Sequence, residues 1–132
     1  MAKRAIIPPE FQAAADQLKM SPAIVSGEHV FLTGVTGSDA QGQISDDADT
    51  QIRNAFEKIG SVLSAGGLTF QSIVEMTTYH VNLRDHFDLF DAIRLEYLGE
   101  PYPAWTAVEV AGLRREGAIV EIRVIAHKDP ND

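Results

Sequence analysis

"AIVEIRVIAHK", residues 118–128, alternates two kinds of position with the two-residue period of a β-strand. Val120, Ile122, Val124 and Ala126 form one wholly apolar row, a natural seat for a layer of helices. Ile119, Glu121, Arg123 and Ile125 form the other row, half apolar and half charged. That mixture suits neither bulk water nor a dry core. A second strand, "SIVEMTTYHVNL" (72–83), repeats it, with Glu75, Thr77 and Tyr79 on one face and Val74, Met76 and Thr78 on the other. One face of a sheet made from these strands belongs to helices, and the other asks for a subunit interface with polar sites in it.

From about Asp47 to Ala65 the period becomes helical. Ile52, Ala55, Phe56, Ile59, Val62 and Leu63 make one apolar stripe, and Gly66-Gly67 ends it. Ser45, Asp46 and Asp47 each qualify as the N-cap. The opposite side, Arg53, Asn54, Glu57 and Lys58, reads as solvent-facing. A second helix runs from Asp85 or His86 to Leu98, with Phe87, Phe90, Ile93 and Tyr97 at helical spacing and Gly99 as its stop. Shorter strands fall at "KRAII" (3–7) and "EHVFLTG" (28–34), and "QLKMSPAIVSG" (17–27) reads as loop running into a short extended piece. "VTGSDAQGQISDD" (35–47) is a polar, Gly-rich loop. "PYPAWTAVEV" (101–110) is a proline-stiffened approach to a strand from roughly Trp105 to Val110. The order β–β–α–β–α–β–β describes an α+β sandwich of two layers, with both helices on one face of the sheet. No third helix is expected for the other face, so a homo-oligomer is. Residues 1–132 read as a single domain, without repeats, linkers or a low-complexity tail beyond "DPND".

Composition narrows the functional classes. Of 132 residues, 45% are hydrophobic and 23% charged, ordinary values for a globular chain. The basic start "MAKR" leads into an apolar run that Pro8-Pro9 interrupt, so neither a signal peptide nor a membrane-spanning segment is expected, and cytoplasm is the default location. Cysteine is absent, which excludes disulfides, thiolate metal sites and a cysteine nucleophile. The net charge of −8 and the scattered basic residues argue against nucleic-acid binding.

Among residues able to carry chemistry, Glu121 leads. A carboxylate between Ile119 and Ile125 on a covered face would be partly desolvated and useful as a general acid or base. The competing reading is a salt bridge to Arg123 on the same face. Glu109 and Glu75 are lesser candidates. His29, His80, His86 and His127 have no metal-ligand spacing, and His29 and His86, at the starts of elements, read as surface residues. No metal or cofactor is expected. The loop glycines lack a P-loop lysine, and no nucleophile elbow is present. Trp105, the only tryptophan, reads first as a core or interface anchor.

The segments "SPAIVSGEHVFLTG", "TQIRNAFEKIGSVLSAGG", "VEMTTYHVNLRDHFDLFDAI", "GEPYPAWTAVEVAGL" and "AIVEIRVIAH", in this order over nearly the whole chain, resemble the RidA (YjgF, L-PSP-like) family. The resemblance implies a chorismate-mutase-like α+β fold assembled as a barrel-like homotrimer, with ligand clefts between subunits. It also implies hydrolysis of reactive enamines or imines to 2-oxo acids and ammonia. Deaminases of the family carry an arginine for the substrate carboxylate where this chain has Trp105, followed by Thr106. Their water-positioning glutamate corresponds to Glu121, their site glycine and hydroxyl residue to Gly34 and Thr33, their tyrosine to Met20 and their helix asparagine to Asp91. An amide near Ala107 would stabilise developing negative charge. Arg94 is either a substitute cation or is neutralised by Asp91, three residues away. With an indole at 105, the resemblance implies an arginine-lacking subfamily acting on a substrate other than 2-aminoacrylate, one larger, apolar or aromatic. The alternatives are a non-catalytic small-molecule-binding or chaperone-like trimer and, more weakly, an endoribonuclease.

Overall fold

The computed structural model describes residues 2–129, so most of the "DPND" end lies outside the described residues. The chain runs β1 (Arg4–Ile6), α1 (Gln12–Leu18), β2 (Ala23–Ser26), β3 (His29–Leu32), β4 (Val35–Thr36), α2 (Ala48–Ala65), β5 (Ile73–His80), α3 (Leu83–Tyr97), β6 (Ala104–Glu109) and β7 (Val120–His127). One sheet holds all the strands in the order β1-β2-β3-β7-β5-β6, with the short β4 also paired to β7. β5 and β6, joined through α3, are parallel, and the other pairs are antiparallel. The architecture is α+β with a mixed sheet.

β7 sits at the centre, and its two rows behave as their chemistry requires. Val120, Ile122, Val124 and Ala126 are buried, in one cluster with Ile52, Phe56, Ile59 and Leu63 of α2 and Phe90 and Ile93 of α3. Ile119, Glu121, Arg123 and Ile125 are only half-buried. Asp47 is the cap of α2, its carboxylate accepting from the Thr50 N–H at 3.0 Å and from the Thr50 hydroxyl at 2.7 Å. The helix closes with Gly67 at φ 74°, while the Gly67 and Leu68 amides donate to the carbonyls of Ser64 and Leu63. This is the double hydrogen bond of a Schellman cap, with buried Leu68 folded back on the core.

Several expectations need correction. Three α-helices form rather than two. α1 escaped notice because only Ala15 of it is buried, which leaves no stripe to read. The extended piece after Pro22 is a full sheet member, β2, and β4 interrupts the Gly-rich loop. The second long helix starts at Leu83, after Asn82 in a left-handed conformation, rather than at Asp85 or His86. A register irregularity between Ile73 and Glu75 turns Val74 out of the core row, leaving it 44% exposed. Ile73, Met76, Thr78 and His80 are the residues of β5 that are buried.

Candidate functional site

Gly34 and Glu121 define the most site-like place on the molecule. β3 pairs with β7 only as far as Phe31 opposite Ile125, and β4 rejoins β7 at Val35 opposite Ile122. Between them the chain leaves β7, and Thr33 is fastened elsewhere. Its N–H donates to the Pro22 carbonyl at 2.9 Å and its hydroxyl to the Ser21 carbonyl at 2.6 Å, which draws the Met20–Pro22 loop alongside. The Gly34 backbone then lies against the Glu121 carboxylate, where a Cβ would collide with Oε2. Any other residue would push that oxygen away. Among the described residues Glu121 has no salt-bridge partner, so Arg123 does not neutralise it.

These groups border a cavity of about 960 Å3. Met20, Thr33, Gly34 and Glu121 line one part of it, and Phe11 and Leu18, flanking and ending α1, add apolar wall. Asn54 and Lys58 come from α2, Ser38 and Asp39 from the loop between β4 and α2, and Arg114 and Arg115 from the turn before β7. Lys58 and Asn54 are therefore not on a solvent face as their helical spacing suggested. Both are half-buried: the Lys58 ammonium donates to the Ser38 hydroxyl at 2.9 Å and the Asn54 amide to the Gly37 carbonyl at 3.1 Å. Burial, followed by the nearby Arg115 charge, pushes the Lys58 amine down to about 8. The side chain of Gln51, also buried, ties this wall together by donating to the Ser45 and Gly117 carbonyls and accepting from the Ile119 N–H.

Trp105 lies elsewhere. Cα register sets Met76 opposite both Val124 and Trp105, so the indole is on the helix side of the sheet while Glu121 is on the open side. Its ring is parallel to Phe87 with centroids 5.7 Å apart, and the Arg94 guanidinium stands 4.4 Å from its centroid. Phe87 and Arg94 are two helical turns apart, about 10.5 Å along the axis, so the indole fills the interval between them. Asp91 accepts from Arg94 Nε at 2.8 Å, completing a cation held by an aromatic face and a carboxylate. Thr106 projects from the open face two strands from Arg123, with Thr77 between; Ala107, opposite Thr78, is on the helix side. One chain thus gathers Met20, Thr33, Gly34 and Glu121 at the cavity and Asp91, Arg94 and Trp105 into a cluster on the helix side, with Thr106 and Ala107 in neither group.

Beneath the indole runs a buried polar chain that the sequence reading missed. Trp105 Nε1 donates to the Thr78 hydroxyl at 3.0 Å, and Thr78 Oγ1 is 2.7 Å from His80 Nε2. His80 Nδ1 is 3.1 Å from His86 Nε2. His86, expected at the surface, is 7% exposed and His80 is completely buried. His80 shares the parity of Met76 and Thr78, and His86 stands one turn before Phe90; both periodicities pointed inward. Burial, reinforced by the facing His86, pushes His80 down to about 4, and burial lowers His86 as well. Among the described residues no cluster of three or more His, Asp or Glu is arranged to hold a metal ion.

Comparison with known proteins agrees with this architecture. Residues 12–128 match the family model described as Endoribonuclease L-PSP. RutC family protein YjgH of Escherichia coli K12 is 34% identical over 125 residues, 94% of each chain. RutC family protein PH0854 of Pyrococcus horikoshii is 33% identical over 115 residues, covering 83% of this chain and 86% of its own. The solved structure of protein YjgH superimposes with a TM-score of 0.88 at 32% identity, over 97% of this chain and 98% of that one. E. coli TdcF, solved with bound serine, gives a TM-score of 0.76 at 26% identity, over 83% and 87% of the two chains. With a family model spanning most of its length and relatives this similar over nearly all of theirs, the chain belongs to the RidA/YjgF/L-PSP family.

Proposed function

We propose that this chain, as a single domain over residues 1–132, hydrolyses a reactive imine or enamine to a carbonyl compound and ammonia, with Glu121 positioning and activating the water. Membership of the family supports a RidA-type hydrolase or deaminase function in general. The observation that carries the finer reading is the Glu121 carboxylate, free of any ion pair among the described residues, set against Gly34 at the wall of a large cavity. A carboxylate there takes a proton from water as its oxygen adds to the C=N carbon. It returns that proton to nitrogen to give a carbinolamine, and then relays the hydroxyl proton to the same nitrogen as the C–N bond breaks, leaving a carbonyl and ammonia. An enamine enters this sequence after protonation at carbon. The reaction needs no cofactor.

The substrate is one other than 2-aminoacrylate. The arginine that would clamp a small imino acid is replaced by Trp105, and Arg94 is committed to Asp91 and the indole face. The cavity also exceeds what a three-carbon acid fills, lying at the upper end of the roughly 300–1,000 Å3 range of small-molecule pockets. The related TdcF, with its bound serine, supports a small metabolite as the ligand class. Three chains assembling on their open sheet faces would bring the Glu121 cavity of one copy near the Trp105, Thr106 and Ala107 edge of the next, in the soluble, cytoplasmic setting expected of the family. Among the described residues no helix is long and apolar enough to cross a membrane.

A second reading, a non-catalytic ligand-binding trimer, is favoured by the same locking of Arg94 and Trp105. An endoribonuclease is disfavoured by the −8 charge. Ammonia release from a panel of freshly generated aliphatic and aromatic imines tests the reaction. Glu121→Gln should lower the rate at least about 100-fold, the usual worth of a general base, while circular dichroism stays unchanged. Equal rates in the two proteins would overturn the mechanism.

A further inference from the structure

We propose that Lys58, supported by Arg115, is the carboxylate-binding group of the Glu121 cavity, so that the ligand is an extended monocarboxylate lying along the α1–α2 wall. The assignment of its reacting end to Glu121 rests on the function proposed above; the anion subsite does not.

The Lys58 ammonium has no ion-pair partner among the described residues. Lys58 is half-buried, lines the cavity and donates to a neutral hydroxyl, that of Ser38; among the described residues neither it nor Arg114 or Arg115 has a salt-bridge partner. An ammonium withdrawn from water without a carboxylate is costly, and an arriving anion would relieve that cost. Burial and the neighbouring Arg115 charge lower the Lys58 amine, and the Asp39 carboxylate offsets them only in part. Asp39, the carboxylate nearest in sequence to Ser38, is already occupied in its own loop, where Oδ1 accepts from the Gln41 and Gln43 amides. Arg115 is held in place by its bond to the Gly42 carbonyl at 2.8 Å, which leaves its remaining N–H groups available.

The same lining defines the rest of the ligand. Glu10, Asp39, Glu57 and Glu121 face three cations, so a dianion such as a phosphate monoester meets more repulsion than a monoanion. Phe11, Leu18, Met20, Leu32 and Val62 supply apolar wall. A carboxylate at one end, an apolar body and a C=N group at the other end match these features. A cation on α2 thus takes over the task for which Trp105 has no positive charge.

Titration calorimetry with straight-chain carboxylates of four to eight carbons, their neutral amides and butyl phosphate tests the subsite without any turnover. The carboxylates should bind at least about tenfold more tightly than the amides and more tightly than the phosphate. Lys58→Gln should abolish that preference and Lys58→Arg should keep it. On binding, the Lys58 amine should titrate at higher pH in NMR of the methylated protein. A preference that survives Lys58→Gln, a phosphate that binds best, or no preference in the wild type would each overturn the subsite. Carboxylate preference in a protein that hydrolyses no imine would overturn the reaction and leave the subsite standing. Glu121-dependent hydrolysis unaffected by Lys58→Gln would do the reverse.

Discussion

Gly34 works by what it lacks. Its missing Cβ is the space that the Glu121 Oε2 atom occupies, so the residue sets the carboxylate's position at the cavity wall. The obstructing atom is the far end of a flexible side chain, so Gly34→Ala should displace it at little energetic expense. We expect a loss of less than about 1 kcal/mol in denaturant unfolding and a fall of about tenfold or more in ammonia release. A large stability loss would mean instead that the glycine is structural. Glu121 itself was legible from strand parity alone, because a carboxylate between isoleucines on a mixed row is unusual. Lys58 was not. Helical spacing set it opposite the apolar stripe, and only the return of the 37–44 loop and the Arg114–Arg115 turn covers it.

Within and between elements, the buried chain Trp105–Thr78–His80–His86 couples β6, β5 and α3. Neutral rings suit it: each histidine then has one donor and one acceptor nitrogen, enough for a single directed line of hydrogen bonds. A second proton would set two donors, or two charges, against each other inside the core. An unfolded histidine titrates near 6.5 while folding holds His80 near 4, so between those values the unfolded chain binds more protons. Stability should therefore be complete above about pH 6.5 and fall as pH drops toward 4, by on the order of 2 kcal/mol. Urea melts at pH 7 and pH 5 check the sign, and His80→Gln should flatten the difference. An unchanged midpoint between the two pH values would remove the histidine pair as the cause. The elements themselves were mostly readable: α2, α3 and β7 follow from their periods, whereas α1, with one buried residue, and the irregularity at Val74 leave no periodic trace.

For the whole molecule, the open sheet face decides how a single chain can become complete. Phe31, Val74 and Val108 are 37–44% exposed, and Thr77, Tyr79, Arg123 and Ile125 are half-buried beside one another in adjacent strands. A face of this composition is suited to self-association. Light scattering should give three times the 14.4 kDa chain mass, and Ile125→Asp should reduce it to that of one chain while secondary structure is retained. A wild-type monomer would leave Trp105 and Glu121 permanently on opposite sides of one sheet and end the shared-cleft reading. The sequence by itself determined the layering, because alternation on β7 and helical stripes on α2 and α3 are local periodicities that survive in one dimension. It also determined the family, through segments matched in order along the chain. Only the tertiary structure decided that Trp105 packs on α3 instead of facing Glu121, that two histidines are buried as a pair, and that Lys58 shares a cavity with Glu121. Those facts depend on register and loop return between residues far apart in the chain, and no local period encodes them.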